Sequence, residues 1–530
     1  MDWTPEAKRA IEKVPPFVRK MAGKAVEAYA KDKGMGTVTL EIVQQAKEKM
    51  MGRFSKNEDR ATAGLSGFNV GMNRRQTMHL TDQRSFLANE TDDPLHEAFD
   101  RKLAVHAMPR NKTIPLEHLH RYWAEVMSED HVGQPMRTIY IHIPFCRSHC
   151  LFCGFYQNAY QPEKAHQYVD ALLEEMAGTA QEPFAKRAPF QAVYFGGGTP
   201  TALPANDIYR LVGGVKTFFP LANDCELTLE GRFHDFGEDK IEAALTAGVN
   251  RFSLGVQTFD TAIRKSLGRR EPEEKLIQML THLRDQGAAA IIIDLIYGLP
   301  GQTMDIWEKD LKTYLDLEID GCDLYQLNIF AGGPLESAVR NQTLPRPATL
   351  REQADFYQCG VDRLSAAHQR QLSITHWARN TRERSLYNAL SRGRSECIPL
   401  GAGAGGWLGK HMFFLEGDLN AYIQRVQTGK KPLVMGYGGD QHHLLLRDIA
   451  CQIELGYCDM KSLSARHGMD LFAMTGHVVD QWEKVGLIRM DDGVLHLTRA
   501  GAFWAVNLSQ IIIDLVQMQN TNTGFTWRQR

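Results

Sequence analysis

The run Tyr140-Ile-His-Ile-Pro-Phe-Cys-Arg-Ser-His-Cys-Leu-Phe-Cys-Gly-Phe155 packs three cysteines, Cys146, Cys150 and Cys153, into eight residues. At this C-x3-C-x2-C spacing, three thiolates can hold three irons of a [4Fe–4S] cube. Cluster ligation normally takes four cysteines, so the fourth iron stays open to another ligand. The competing reading is zinc, which prefers four ligands, usually in two C-x2-C pairs. There is no second pair: Cys225, Cys322, Cys359, Cys397, Cys451 and Cys458 are scattered. A strand-like run from Thr138 to Ile143 leads into the loop, and a helical pattern over Glu163–Met176 follows it. That is a βα unit with its chemistry at the C-terminal end of the strand, where barrel active sites sit.

The same arrangement recurs downstream. Ala192–Phe195 reads as a buried strand followed by Gly196-Gly-Gly-Thr-Pro-Thr201. Such a glycine run either lets the backbone approach a ligand or makes a tight turn. Leu227–Glu230 ends in Glu230-Gly-Arg232, and Arg251–Gly255 ends in Val256-Gln-Thr258. Ile291–Ile296 carries Asp294 and runs into Tyr297-Gly-Leu-Pro300. Strands and helices thus alternate from Met136 to about Pro345, the pattern of a parallel α/β sheet or barrel. Glu230, Gln257 and Asp294 are each ordinary as turn residues. Their recurrence at successive strand ends points to ligand contact. The known occupant of an open iron at this spacing is S-adenosylmethionine (SAM), chelated through its amino and carboxylate groups. The glycine run is placed for backbone contact with that amino group.

Bulk properties narrow the class. A chain of 530 residues should hold about two to four domains. Its 43% hydrophobic and 23% charged content is globular, and a net charge of −2 gives no sign of a nucleic-acid surface. The longest apolar runs, Ala288–Leu299 and Leu508–Met518, fall short of the ~20 residues that span a bilayer and carry Asp294 and Asp514. No secretory signal pattern opens the chain, and nine cysteines in this length make no disulfide scaffold. The expectation is a reducing cytoplasm, with no membrane or nucleic-acid partner. An oxygen-labile cluster adds an anaerobic setting.

Four segments are expected. Residues 1–53 form a small helical domain. Thr4-Pro-Glu6 caps its first helix, Ala7, Ala10, Ile11 and Val14 recur at helical spacing, and further helices run over 18–31 and 41–51. Thr37–Leu40 is extended or caps the last of these. Residues 54–135 are a linker with some helix near Glu117–Met127. Residues 136–345 are the α/β barrel, and 346–530 a mixed, mainly helical domain.

Four motifs in order carry a family resemblance. Tyr140-Ile-His-Ile-Pro-Phe-Cys146, Gly196-Gly-Gly-Thr-Pro-Thr201, Asn250-Arg-Phe-Ser-Leu-Gly-Val-Gln257 and Asp294-Leu-Ile-Tyr-Gly-Leu-Pro-Gly-Gln302 resemble the HemN-like group of radical SAM enzymes. The resemblance covers about 136 to 515 and implies a partial (β/α)6 barrel closed on its substrate side by the C-terminal domain. It implies that Cys146, Cys150 and Cys153 ligate the cluster, with Tyr140 and His142 beside it. It implies that Gly197, Gly198 and Thr199 contact the methionine part of SAM. Glu230, Gln257, Arg270 and Asp294 would contact SAM ribose and carboxylate, or a second SAM, and Tyr156 would also bind cofactor. Within the group, Cys153-Gly-Phe-Tyr156, Leu229-Glu-Gly-Arg-Phe233, Tyr325-Gln-Leu-Asn328 and Leu497-Thr-Arg-Ala-Gly-Ala-Phe-Trp504 are similar to the anaerobic haem-degrading methyltransferase branch (HutW/ChuW). Two alternatives remain, a haem chaperone or carrier and an oxygen-independent coproporphyrinogen III decarboxylase. The latter usually has a cysteine where this chain has Phe155. The chaperone's His-Asn-x-x-Tyr-Trp run is absent near Arg384-Ser-Leu-Tyr-Asn388. Trp3-Thr-Pro-Glu-Ala7, Val14-Pro-Pro-Phe-Val-Arg19 and Tyr29-Ala-Lys31 resemble the small C-terminal domain of the protochlorophyllide reductase B subunit, a tetrapyrrole or redox module, or a generic docking module.

The resemblance implies oxygen-free opening of haem. A low-potential donor such as flavodoxin reduces the cluster, and SAM is cleaved to a 5′-deoxyadenosyl radical. A ring bond at a meso position breaks, and a linear tetrapyrrole leaves with release of iron. SAM would serve as radical source and methyl donor. A flat substrate with two propionates needs aromatic walls, for which Phe155, Tyr156 and Trp377 are candidates. It also needs cations, for which Arg232, Arg251, Arg379, Arg382 and Arg384 are candidates. His376 is the first candidate haem ligand and His149 the second. Gly401-Ala-Gly-Ala-Gly-Gly406 either lies over the barrel mouth or is a plain turn.

Overall fold

Six apolar runs line up as parallel strands in the computed structural model. They are β1 (Arg137–Ile143), β2 (Phe190–Gly197), β3 (Leu221–Gly231), β4 (Arg251–Gln257), β5 (Ala290–Tyr297) and β6 (Gly321–Gln326). Residues 2–7, 26–27, 30, 35–40, 42–43, 86–103, 106–128 and 136–519 are described. Every residue of β4 and nearly every residue of β5 is buried, as expected for parallel strands covered on both faces. The connecting helices are α1 (Pro162–Thr179), α2 (Ala205–Phe218), α3 (Glu238–Ala247), α4 (Glu273–Gln286) and α5 (Met304–Leu317). In α5 the Thr303 hydroxyl caps the helix, and Trp307, Leu311 and Tyr314 form the buried stripe. After β6 comes α6 (Leu350–Ala366), opened by a capping box between Thr349 and Glu352. This is the partial (β/α)6 arrangement.

The sheet does not stop at residue 345. Three short strands from the C-terminal segment complete it: β7 (Arg370–Gln371), β8 (His376–Ala378) and β9 (Glu396–Leu400). The order across the nine strands is β7-β8-β6-β5-β4-β3-β2-β1-β9. β9 runs parallel to β1, while β8 is antiparallel to β6. The edges of the expected barrel are therefore covered by chain from beyond it.

Packing divides the chain into two units, residues 1–73 and 74–530. In the first, the Thr4 hydroxyl accepts from Ala7 N at 3.3 Å, and Asp2–Trp3 pairs in parallel with Thr37–Val38. Ala7, Val26, Ala30, Val38, Ile42 and Val43 form its core. Most of the expected helices over 18–31 and 41–51, with Ala10, Ile11 and Val14, lie outside the described residues. In the second unit, residues 86–128 fold against C-terminal elements. Trp504 Nε1 donates to the Pro94 carbonyl at 2.9 Å, and Trp123, on the helix Leu116–Ser128, meets Phe413 edge-on at 5.3 Å. A four-stranded sheet joins Gly405–Leu408, His411–Leu415, Leu433–Gly438 and Lys112–Thr113. Another of three strands (Tyr457–Asp459, Ile488–Asp491, Val494–Leu497) accompanies two helices, Met460–His467 and Leu471–Val485. The described residues end on the helix Ala505–Gln519.

Candidate active site

The C-terminal ends of the strands open on a cavity of about 580 Å³, within the size range of small-molecule sites. Cys146, Cys150 and Cys153 all line it, as free thiols. Local pairing shapes their loop. Phe145–Cys146 pairs in parallel with Asn158–Ala159, and Cys153 N donates to the Cys150 carbonyl at 3.0 Å. Arg232 staples the loop from β3, donating to the Ser148 carbonyl (2.8 Å) and hydroxyl (3.2 Å). Burial pushes the Cys146 thiol up and the Cys153 thiol up to about 11. The Phe155 N–H, 3.3 Å from Cys153 Sγ, acts the other way, and a bound cluster would hold both sulfurs as thiolates.

The end of β2 packs too closely for side chains. A Cβ on Gly197, whose φ is +114°, would lie 2.8 Å from the His142 ring, and one on Gly198 would lie 2.7 Å from the Phe145 carbonyl oxygen. Their amides are engaged: Gly197 N donates to Glu230 Oε2 (3.2 Å) and Gly198 N to the Ile143 carbonyl (2.8 Å). A ligand amino group, itself a donor, needs carbonyl oxygens in any case. The Thr199 hydroxyl stands 3.3 Å from Cys146 Sγ. Beneath them, Tyr140 OH and His142 Nδ1 are 3.1 Å apart. Burial pulls His142 down to about 4, outweighing the side chain of Gln157, which acts the other way, so the ring is neutral.

The carboxylates cluster on neighbouring strands. Glu230 accepts from Tyr194 OH at 3.0 Å, and burial pushes its pKa up to about 7. Asp294 on β5 sits in register with Asp323 on β6. Burial, then the negative charges of Asp323 and Glu230, raise Asp294 well above the carboxylate range. Gln257 holds φ at +71°, sparsely populated for a non-glycine residue, where the β4–β5 register also shifts. Its side-chain oxygen is buried without a partner. Orphaned polar atoms, a glycine cradle and three thiols on one cavity wall fit a site built to receive a cluster and a polar ligand.

Several expected residues stand elsewhere. Arg270 is exposed and does not line this cavity; its neighbour Arg269 is buried at the cavity wall. Arg269 lies against Phe152 of the cysteine loop, 5.6 Å to the ring centroid, and its Nε has no partner. His376 is no candidate iron ligand, because carboxylates face both ring nitrogens. Nδ1 is 2.8 Å from Asp323 and Nε2 is 2.9 Å from Glu383. Burial pulls its pKa down, but the two carboxylates outweigh that and hold it at about 9. Glu383 is fully buried and also grips Arg251 through two nitrogens at 3.0 Å. Arg251 is therefore a structural counter-ion at the start of β4, not a free cation. Arg379 pairs with Glu318, Arg382 binds the Ala289 carbonyl, and Arg384 pairs with Asp224. All three partners sit near the N-terminal ends of strands, away from the cysteine loop. Trp377 is buried outside the cavity wall. The Gly401–Gly406 run packs on α1: Gly401 N donates to Glu175 and Ala402 N to Tyr168 OH. Phe155, Tyr156 and Arg232 do line the cavity, and His149 stacks on Tyr156 at 4.2 Å.

The sequence reading missed Tyr194, Arg269, Asp323, Tyr325, Arg392 and Phe503 on the cavity wall. Two-residue periodicity back from Gly196 identifies Tyr194 as inward-facing. Tyr325 and Phe503 stand inside two of the family-like runs, Tyr325–Asn328 and Leu497–Trp504, whereas Arg392 carries no comparable local signal. Among the described residues no helix is long and apolar enough to cross a membrane.

Comparison with known proteins bears on this site. Residues 140–313 match the radical SAM superfamily, and residues 3–47 match the proto-chlorophyllide reductase 57 kD subunit. Anaerobilin synthase from Escherichia coli O157:H7 is 37% identical over 454 residues, 85% of this chain and 98% of that protein. Heme chaperone HemW from Bacillus subtilis is 26% identical, covering 69% of this chain and 96% of its own length. The solved structure of coproporphyrinogen III oxidase (HemN) from Escherichia coli superposes with a TM-score of 0.65 at 25% identity, covering 74% of this chain and 93% of that one.

Proposed function

The chain belongs to the anaerobilin synthase family of radical SAM enzymes, and from that premise we propose that it opens the haem macrocycle without oxygen, yielding a linear tetrapyrrole and free iron. The observation that carries the reading is a single cavity holding the three thiols, a carboxylate cluster and aromatic and cationic walls together. When bound, the [4Fe–4S] cluster and SAM supply one-electron cleavage of the sulfonium and, on this reading, a methyl group.

Cys146, Cys150 and Cys153 hold the cluster. Gly197, Gly198 and Thr199 offer backbone oxygens to the amino group of SAM, and Arg269, in place of Arg270, takes its carboxylate. Glu230, Gln257 and Asp294 face the ribose, or a second SAM. Tyr140 and neutral His142 support the glycine cradle from below and hold its shape. Phe155 and Tyr156 wall the substrate, and the packed strand ends exclude water from the reacting centre. The reductant is an external low-potential carrier such as flavodoxin, in an oxygen-poor cytoplasm.

Anaerobic incubation of reconstituted protein with haem, SAM and reductant tests this. Loss of the Soret band with a new linear-tetrapyrrole absorption is the expected result, with label from SAM methyl in the product. A stable haem complex alongside SAM cleavage overturns it in favour of a carrier. Release of carbon dioxide from coproporphyrinogen overturns it in favour of a decarboxylase.

A further inference from the structure

One part of the cavity wall comes from chain far outside the barrel. Residues 101–103 and 106–110, without secondary structure, are held on the helix Ala505–Gln519 by side-chain amides. Asn507 accepts from Leu103 N at 2.9 Å and donates to the Arg101 carbonyl at 3.0 Å. Gln510 accepts from Met108 N (2.9 Å) and donates to the Met108 carbonyl (3.2 Å). Gln517 does the same for Arg110 at 2.7 and 3.0 Å. Each amide satisfies a backbone donor and a backbone acceptor, as a neighbouring strand would. This strap is fixed in place, and it brings Lys102, Leu103 and His106 to the cavity.

Lys102 is the unusual member. Its ammonium stands 3.7 Å from the centre of the Phe503 ring, and among the described residues no carboxylate pairs with it. The side chain is half-buried with no anion beside it, and desolvation pulls this amine down to about 7. The neighbouring cation is already neutralised: Arg392 Nε lies 3.1 Å from Glu454, whose other oxygen is 3.7 Å from His106. The strand-borne wall carries Glu230, Asp294 and Asp323 together with Arg232 and Arg269. Acids and arginines therefore stand together where the strands end, while the strap brings in a cation with no carboxylate beside it among the described residues.

We propose that Lys102 is the carboxylate anchor for the substrate: its ammonium, held over Phe503 by the strap, pairs with one propionate of the tetrapyrrole. The inference rests on the haem reading above. SAM also carries a carboxylate, but Arg269, beside the cysteine loop, is placed for that one.

Equilibrium titration of the full-length reconstituted chain, followed by the Soret band for the two haems and by calorimetry for SAM, separates the outcomes. The probes are haem, haem dimethyl ester and SAM. Unmodified protein should bind haem about ten- to a hundredfold tighter than the ester, the loss of one charge-assisted pair. Lys102→Met should lower haem affinity by that factor and no longer distinguish the ester, while Lys102→Arg keeps both properties. Equal binding of haem and ester by the unmodified protein overturns the proposal without any variant. So does Lys102→Met that still discriminates, or one that weakens SAM and not haem. If unmodified protein binds no haem, the substrate reading fails as well. If it binds and opens haem but Lys102→Met is indifferent, only the anchor fails.

Discussion

Arg269 and Arg270 are adjacent in sequence, yet one is buried at the cavity wall and the other faces solvent. If Arg269 takes a carboxylate, Arg269→Gln removes a charge-assisted pair worth about 1.5–3 kcal/mol. SAM affinity should then fall by roughly ten- to a hundredfold. Arg270→Gln should leave it unchanged, and calorimetric titration of the two variants decides between the positions. The thiols give a second prediction at this scale. Serine at Cys146, Cys150 or Cys153 should abolish reconstitution of the cluster, read by its electron paramagnetic resonance signal after reduction. Full cluster content in any of the three would show that that thiol is not a ligand. Of the residues with orphaned atoms at the site, Gln257 could be picked from sequence because it stands at a strand end. The choice of Arg270 over Arg269 could not, because which of two adjacent side chains turns inward depends on the turn after the short helix Thr261–Ser266.

Strand β8 is three residues long and is held to β6 and β4 by a buried charge chain, Asp323–His376–Glu383–Arg251. Glu383→Gln leaves Arg251 and His376 short of a counter-charge and should destabilise by about 3–5 kcal/mol, measured by denaturant unfolding. The chain also predicts a pH window. His376 is raised from 6.5 to about 9, so its contribution is complete below 6.5 and is lost as pH rises through 9. For Glu383, burial raises the pKa but Arg251 and His376 outweigh it, lowering it from 4.5 to about 2. Its contribution is complete above 4.5 and is lost as pH falls through 2. Melting temperature should be highest between about 4.5 and 6.5 for this element, and Glu383→Gln should flatten the profile. The same charge chain explains what sequence reading could reach. Strands β1 to β5 announce themselves as apolar, β-branched runs bounded by turn residues. β8 does not, since Ser373-Ile-Thr-His-Trp377 is short and polar and its partners lie on β6 and a loop. Read alone, His376 looks like a metal ligand; in place, both of its nitrogens are engaged.

The two units of the chain each have their own hydrophobic cluster. Calorimetry of the whole chain should therefore show two transitions, and a chain beginning at residue 74 should keep the larger one unchanged. Loss of that transition would mean that the small unit is required for the large one to fold. Within the larger unit, the strap carrying Lys102 depends on Asn507, Gln510 and Gln517. Gln510→Ala with Gln517→Ala should raise amide hydrogen exchange over residues 106–110 while leaving β1 to β6 protected.

The clasp joins residues 402 to 407 positions apart. During synthesis, β1 to β6 are complete long before the final helix leaves the ribosome. Until it does, for a period on the order of tens of seconds, the strap that carries Lys102 has no amides to hold it.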